Sequence, residues 1–334
     1  MSLVSIGDLA QSFLLRRQNV ALKSDLQRLS GELTTGRVAD VAARLSGDLV
    51  PLSGLDASLA SLRAYRAVNS EAALFTGVMQ TALGRIDSLS LEMSRSLNLA
   101  GTTPSPVRLD AVASEARRQF EAAVATLNTR FGDRSIFAGN ATNAAAVIDS
   151  AAMLSAIEAA ASGAGSAADV ETAVGAWFDA PAGYAASAYL GGAALAPWRI
   201  GQGEQASADI TATDPAVRDT LKGLAMAALL DRGILAGQPE ARQDIARRAG
   251  ASLMTSQSGR VLLAARLGTV EAQIEGASAS NAAEASSLEI ARAGMIAADP
   301  YETASKLEQT QTQLETIYAI TARMTRLSLM DFLR

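Results

Sequence analysis

Apolar residues in the stretch 299–333 recur at steps of seven, three, three, four and three: Leu307, Leu314, Ile317, Ile320, Met324 and Leu327. That spacing gathers them on one stripe of a helix. Asp299-Pro300-Tyr301-Glu302 predicts its start, with Asp299 as the cap, Pro300 in the first turn and Glu302 reaching back to the cap amide. No Gly or Pro follows Pro300, and 309–313 alternate Gln and Thr without a charge. A matching stripe lies near the other end. Over 5–34, Leu15, Leu22, Leu26, Leu29 and Leu33 fall at heptad-like spacing, with Ile6, Leu9 and Phe13 in a shifted register upstream. Asn19 shares the row, as a modest cost to a seam or as a residue that fixes register. Gly36 stops this helix.

Between the ends the helical period continues. A helix over 55–99 is predicted from Thr76, Met79, Leu83, Ile86, Ser90, Met93 and Leu97, and another over 107–130 from Leu109, Val112, Ala116, Phe120, Ala123 and Leu127. Residues 132–140 read as a turn into a brief strand. From 141 to 214 the chain turns Ala-, Gly- and Ser-rich. Short helices are expected near 147–160 and 168–179, with extended segments over 184–200 and 208–213. Asp214-Pro215 repeats the cap-then-proline logic and opens a helix with Val217, Leu221, Leu224 and Ala228 on one face. After Pro239 a single long helix is predicted to about Met295, carrying Leu263, Leu267, Val270, Ile274, Ala277, Asn281, Glu284 and Leu288.

Composition sharpens this picture. Hydrophobic residues make up 49% of the 334 positions but aromatics only 4%, so the apolar mass is aliphatic and suits helix-on-helix packing. Cys and His are both absent, which excludes disulfides, His/Cys zinc sites and imidazole-based triads. A net charge of −5 with interspersed signs gives no electrostatic case for nucleic acid, and no apolar run is long enough for membrane insertion. The first residues, MSLVSIGDLAQSF, carry no basic region followed by an apolar core, so no cleaved signal peptide is expected. No phosphate-binding loop, dinucleotide fingerprint or SxxK motif is present, and Gly201-Gln202-Gly203 lacks a third glycine. The sequence argues against an enzyme and names no catalytic, cofactor or metal residue.

The expected fold is mainly α: long antiparallel helices forming a coiled-coil-like bundle from both chain ends, with an inserted, irregular variable domain that is α/β or β-containing. The divisions are a terminal coiled-coil assembly domain (1–45 with 296–334), a helical bundle (46–140 with 215–295) and an insert (141–214). For the central helices a heptad stripe is core. The terminal pair differs, because pairing two striped helices leaves apolar side chains outside the shared seam. Burying one Leu is worth roughly 1.5–3 kcal/mol. Subunit packing is therefore assigned to Leu15, Leu22, Leu26, Leu29, Leu33, Leu307, Leu314, Ile317, Ile320, Met324 and Leu327.

Leu29-Ser30 through Leu33-Thr34-Thr35-Gly36-Arg37-Val38 resembles the ending of the first flagellin-type helix. Ile136-Phe137-Ala138-Gly139-Asn140 is similar to the element that follows that family's second conserved helix, and Asp299-Pro300-Tyr301 to the start of its final one. Arg326-Leu327-Ser328-Leu329-Met330-Asp331-Phe332-Leu333 resembles the close of the hook–filament junction branch, the hook-associated protein 3 family. One departure is that 39–43, Ala-Asp-Val-Ala-Ala, keeps a single acid where the family has a pair. The resemblance implies a structural protein of the extracellular bacterial flagellum, exported without a cleaved signal through the type III apparatus. It implies a ring-forming homo-oligomer between the other hook-associated protein and flagellin, and an export chaperone that binds Leu314, Ile317, Met324 and Leu327. Flagellin itself is the alternative, and a soluble helical adaptor that binds a partner helix is the second.

Overall fold

A computed structural model describes residues 6–102 and 105–332, the side chains of 6–9 and 325–332 excepted. In chain order it runs α1 (Ile6–Thr35), α2 (Val41–Arg44), α3 (Val50–Thr102), α4 (Pro106–Leu127) and a hairpin of β1 (Arg130–Phe131) with β2 (Arg134–Ser135). Next come α5 (Ser150–Ala161), α6 (Ala167–Asp179), a π-helical turn at Tyr184–Ala188, and a second hairpin of β3 (Trp198–Gly201) with β4 (Glu204–Ala206). The helices α7 (Pro215–Asp231), α8 (Pro239–Thr255), α9 (Gln257–Ile296) and α10 (Pro300–Phe332) follow. The fold is mainly α, with strand pairing among the described residues confined to two small hairpins and two isolated bridges. Two compact units are formed: residues 62–282, and the segments 1–61 and 283–334 together.

Within 62–282, α7 is the central element. Leu221, Leu224, Leu229 and Leu230 are buried, and so are Ala225 and Ala227 between them. It therefore has no solvent stripe along this stretch, because α4, α5, α6 and α8 all pack on it. Small residues allow the close approach. A Cβ on Gly223 would fall 2.7 Å from Leu253 of α8, and one on Gly250 of α8 would fall 2.8 Å from the Asn98 Oδ1 of α3. The predicted face of α3 is fully buried from Thr76 to Leu97. Its two hydroxyls are satisfied by their own helix, Thr76 Oγ1 donating to Ala72 O and Ser90 Oγ to Ile86 O.

The segment after the first hairpin is held by backbone bonds from distant chain. Asn140 N donates to Ala193 O at 2.8 Å, Gly192 N to Ala138 O at 2.9 Å and Ala212 N to Phe137 O at 3.0 Å. Ile136, Phe137 and Ala138 are buried in consequence. Gly139 sits at φ +58°, and a Cβ there would overlap Ala193 O. Tyr184, also buried, donates its hydroxyl to Ala212 O at 2.9 Å, and burial pushes that hydroxyl's pKa up.

Three local expectations are corrected. The long helix predicted from 239 to 295 is two helices joined at Ser256. Leu253 O, which would accept from Gln257 in a continuous helix, is instead taken by the Ser256 hydroxyl and by Arg260 Nη1 at 3.2 Å. Arg260 is 6% exposed and is anchored to Asp87 of α3 at 2.8 Å. The stretch 184–200 opens with the π-helical turn rather than extended chain, Tyr189 N returning to Tyr184 O, and the backbone becomes extended at Tyr189, which bridges Val147. Glu302 does not reach back to the cap amide. It pairs forward with Lys306 at 2.7 Å.

Candidate functional site: the paired terminal helices

The unit built from both chain ends is organised by a turn. Gly36 ends α1 at φ +67°, with its N–H donating to Glu32 O. Glu32, itself buried, accepts from Arg28 Nη1 at 3.1 Å and from Ala39 N at 3.0 Å, tying the turn back onto α1. Asp40, the single acid left after the turn, caps α2 by accepting from Ala43 N at 2.9 Å. Across the turn, Val38 N donates to Ile296 O and Ala298 N to Gly36 O, at 2.9 and 3.0 Å. Asp299 then starts α10, its Oδ1 accepting from Tyr301 N and Glu302 N.

From that junction α1 and α10 run antiparallel against one another, so that Lys23 lies 5.8 Å from the centre of the Tyr318 ring. Hydrogen bonds from Lys23 first, and Asn19 second, draw the Tyr318 phenol below its ordinary pKa. Asn19 thus has a partner on the facing helix, whichever of its two sequence readings holds.

Along α1, Leu29 is buried, Leu15, Leu22 and Leu26 are half-buried, and Leu33 is exposed. Along α10, Leu307, Leu314, Ile317 and Met324 are half-buried and Ile320 is exposed. Leu327 falls outside the described side chains. The most enclosed described positions of α10 are Thr303 and Thr310, which the apolar pattern passed over. The signal was there: 303, 307, 310, 314 and 317 step by four and three once Thr counts as a seam residue. Thr310 satisfies its hydroxyl on Lys306 O at 2.7 Å.

A second apolar face is left over. Phe13 is 67% and Val20 69% exposed. At about 100° per residue both lie roughly half a turn away from the Leu22 stripe. Leu14 of α1 and Tyr301 of α10 are exposed as well. The ion pairs within these helices, Arg28 with Asp25 and Glu32 and Lys306 with Glu302, are three or four residues apart and contribute about 0.2–0.5 kcal/mol each. Among the described residues, both clusters of buried apolar side chains lie inside 62–282. The terminal pair thus presents apolar surface on more than one side.

Residues 261–333 match the family profile of the bacterial flagellin C-terminal helical region. The match takes in most of α9 and all of α10, which is one partner of the terminal pair. In three dimensions the chain is similar to a solved structure described as a flagellar hook-associated protein from Vibrio parahaemolyticus. The TM-score is 0.50 at 9% identity, covering 73% of this chain and 95% of that one. At that identity the likeness concerns the fold. No curated protein matches the chain by sequence.

Proposed function

We propose that the chain is a structural subunit of the extracellular bacterial flagellum, and within it the hook–filament junction subunit. The observation that carries this reading is the α1/α10 pair, whose Phe13–Val20 face is bare in a single copy while its flagellin-type half is matched by sequence. On this reading Leu15, Leu22, Leu26, Leu29, Leu33, Leu307, Leu314, Ile317, Ile320, Met324 and Leu327 are packing residues of a coiled-coil layer, which gains its remaining cover from neighbouring copies. Residues 1–45 with 296–334 are then the assembly domain, 46–140 with 215–295 its helical support, and 141–214 the insert. Partners are further copies of the chain, the other hook-associated protein and flagellin. Before export, a chaperone covers Leu314, Ile317, Met324 and Leu327. No catalytic step belongs to this role.

A second reading, flagellin itself, is favoured by the description of the matched C-terminal region. Seeded assembly separates the two. Purified chain added to a seed should stop at a ring of subunits, whereas growth into long filaments makes it a filament subunit. If deletion of 300–334 leaves cell motility and filament attachment unchanged, both readings fail in favour of a free helical adaptor.

A further inference from the structure

Within 62–282, α7, α8 and α9 each carry an arginine as their fourth residue: Arg218, Arg242 and Arg260. Each reaches back to the last turn of the α-helix before its own. Arg218 Nη1 donates to Phe178 O of α6 at 3.2 Å, Arg242 Nη2 to Leu230 O of α7 at 2.9 Å, and Arg260 Nη1 to Leu253 O of α8 at 3.2 Å. All three carbonyls lie where a helix leaves acceptors without donors of its own. A further bond from each guanidinium goes to a carboxylate: Asp179 at 3.5 Å, Asp110 of α4 at 3.1 Å and Asp87 of α3 at 2.8 Å, in the same order.

The helix that carries the arginine does not account for this placement. A cation in the first turn sits against the positive end of its own helix dipole, whereas the same cation at the last turn of another helix is favoured. Satisfaction of the side chain does not account for it either. Among the described residues, the buried side-chain nitrogens without a partner are Arg218 Nε, Arg242 Nε and Arg260 Nη2, one on each of these arginines. A buried donor left unmade is a cost. The same arrangement is thus kept at three corners with one N–H unused at each. A planar fork can hold a carbonyl and a carboxylate in fixed geometry, which a lysine ammonium on its flexible stem does not reproduce.

We infer that Arg218, Arg242 and Arg260 are clasps in series, each holding shut the end of the preceding helix. The last turns of α6, α7 and α8 then open only together with the packed unit. Those three helices already pack on one another. The amides that close their ends lie beside the clasped carbonyls: Ala180 N on Ala176 O, Ile234 N on Leu229 O and Ser256 N on Ser252 O. A helix end that nothing holds frays at almost no free energy. The clasps lie wholly inside 62–282, so they go beyond the assembly reading and act whatever the chain assembles into.

Amide exchange on the full-length protein tests this. In the wild type, the amides of Ala180, Ile234 and Ser256 should exchange as slowly as that of Leu224 in mid-α7, within about threefold. Arg218→Met should speed Ala180, Arg242→Met should speed Ile234, and Arg260→Met combined with Asp87→Asn should speed Ser256, each at least about tenfold more than Leu224. The amides of positions 218 and 242 themselves, bonded to Asp214 O and Gln238 O in the first turns of their own helices, should follow Leu224 instead. Asp110→Asn, which leaves the Arg242 bond to Leu230 O in place, should change Ile234 by less than about twofold relative to Leu224. Where a methionine variant does not fold, the lysine variant, which keeps the charge without the fork, should show the same pattern. Fast exchange of the three end amides in the wild type overturns the clasps. So does acceleration in the arginine variants no greater than that of Leu224, which would make these residues general stabilisers, or an Asp110→Asn effect as large as that of Arg242→Met.

Discussion

Residues 62–282 and the unit made from the two chain ends are both helical, yet they solve the burial problem differently. In the first, α7 is wrapped by four other helices, and Gly223 and Gly250 bring backbones close enough to leave no solvent stripe between. In the second, two helices share one seam, most of its Leu and Ile are only half-buried, and Phe13 and Val20 face outward. A helix of this length draws most of its stability from packing on its apolar face rather than from propensity. The first unit thus encloses its apolar side chains within one copy, whereas the second leaves an apolar face exposed.

The contrast between the two units is largest in amide exchange. Residues in the buried helices of 62–282 should exchange at least about a thousandfold more slowly than those of 6–35 and 300–332, a difference of ~4 kcal/mol in opening free energy. Equal protection of both would mean the terminal seam needs no neighbours. Next in size is a matched pair of truncations. Leu224→Ala, in the fully enclosed α7, should cost about 2–5 kcal/mol in a denaturant titration, whereas Leu22→Ala on the half-covered seam should cost clearly less.

Acid gives a smaller effect, with its sign fixed by two carboxylates of 62–282. Glu115, held by Arg118, and Asp244, held by Arg248, both titrate below their ordinary values of 4.5 and 3.8. Their contribution is present above those ordinary values and is lost as the pH falls through the lower, folded ones. The melting temperature should therefore drop on acidification below about pH 4, and less so in a Glu115→Gln, Asp244→Asn variant. The smallest expected change is in Phe13→Ser, which should move monomer stability by no more than about 0.5 kcal/mol. Seeded assembly is the readout that matters there: it should be lost, and a variant that assembles normally would remove the second face from the argument.

How far these features could be read in advance depends on where their causes lie. The α3 face from Thr76 to Leu97 was legible because helical period and burial coincide there, and Asp214 and Asp299 announced their helices by local capping chemistry. The joint at Ser256 was hidden because it is made by Arg260, a side chain ordered by Asp87 far away in the chain. The π-helical turn at 184–188 falls in a run of small residues with no period to read. Gly139 looked like a turn signal, but the carbonyl that forbids a larger residue belongs to Ala193. In the candidate site, the Leu rows of α1 and α10 were visible. Thr303 and Thr310 were not, because both read as polar; Thr310 returns its hydroxyl to its own helix and so packs as an apolar residue. The bare Phe13–Val20 face was only half visible, Phe13 having been read as part of a stripe in a shifted register.

The antiparallel pairing of α1 with α10 has a consequence for the order in which the molecule can fold. The whole of 62–282 is synthesised between the two helices, so α1 spends nearly all of that time with its leucine row unmatched. Contacts separated by so much chain form late and slowly. The interior unit can settle while the polypeptide is still being threaded out, and the ends close only after it. The two leucine rows are thus kept apart by the chain's own connectivity until the interior unit is in place.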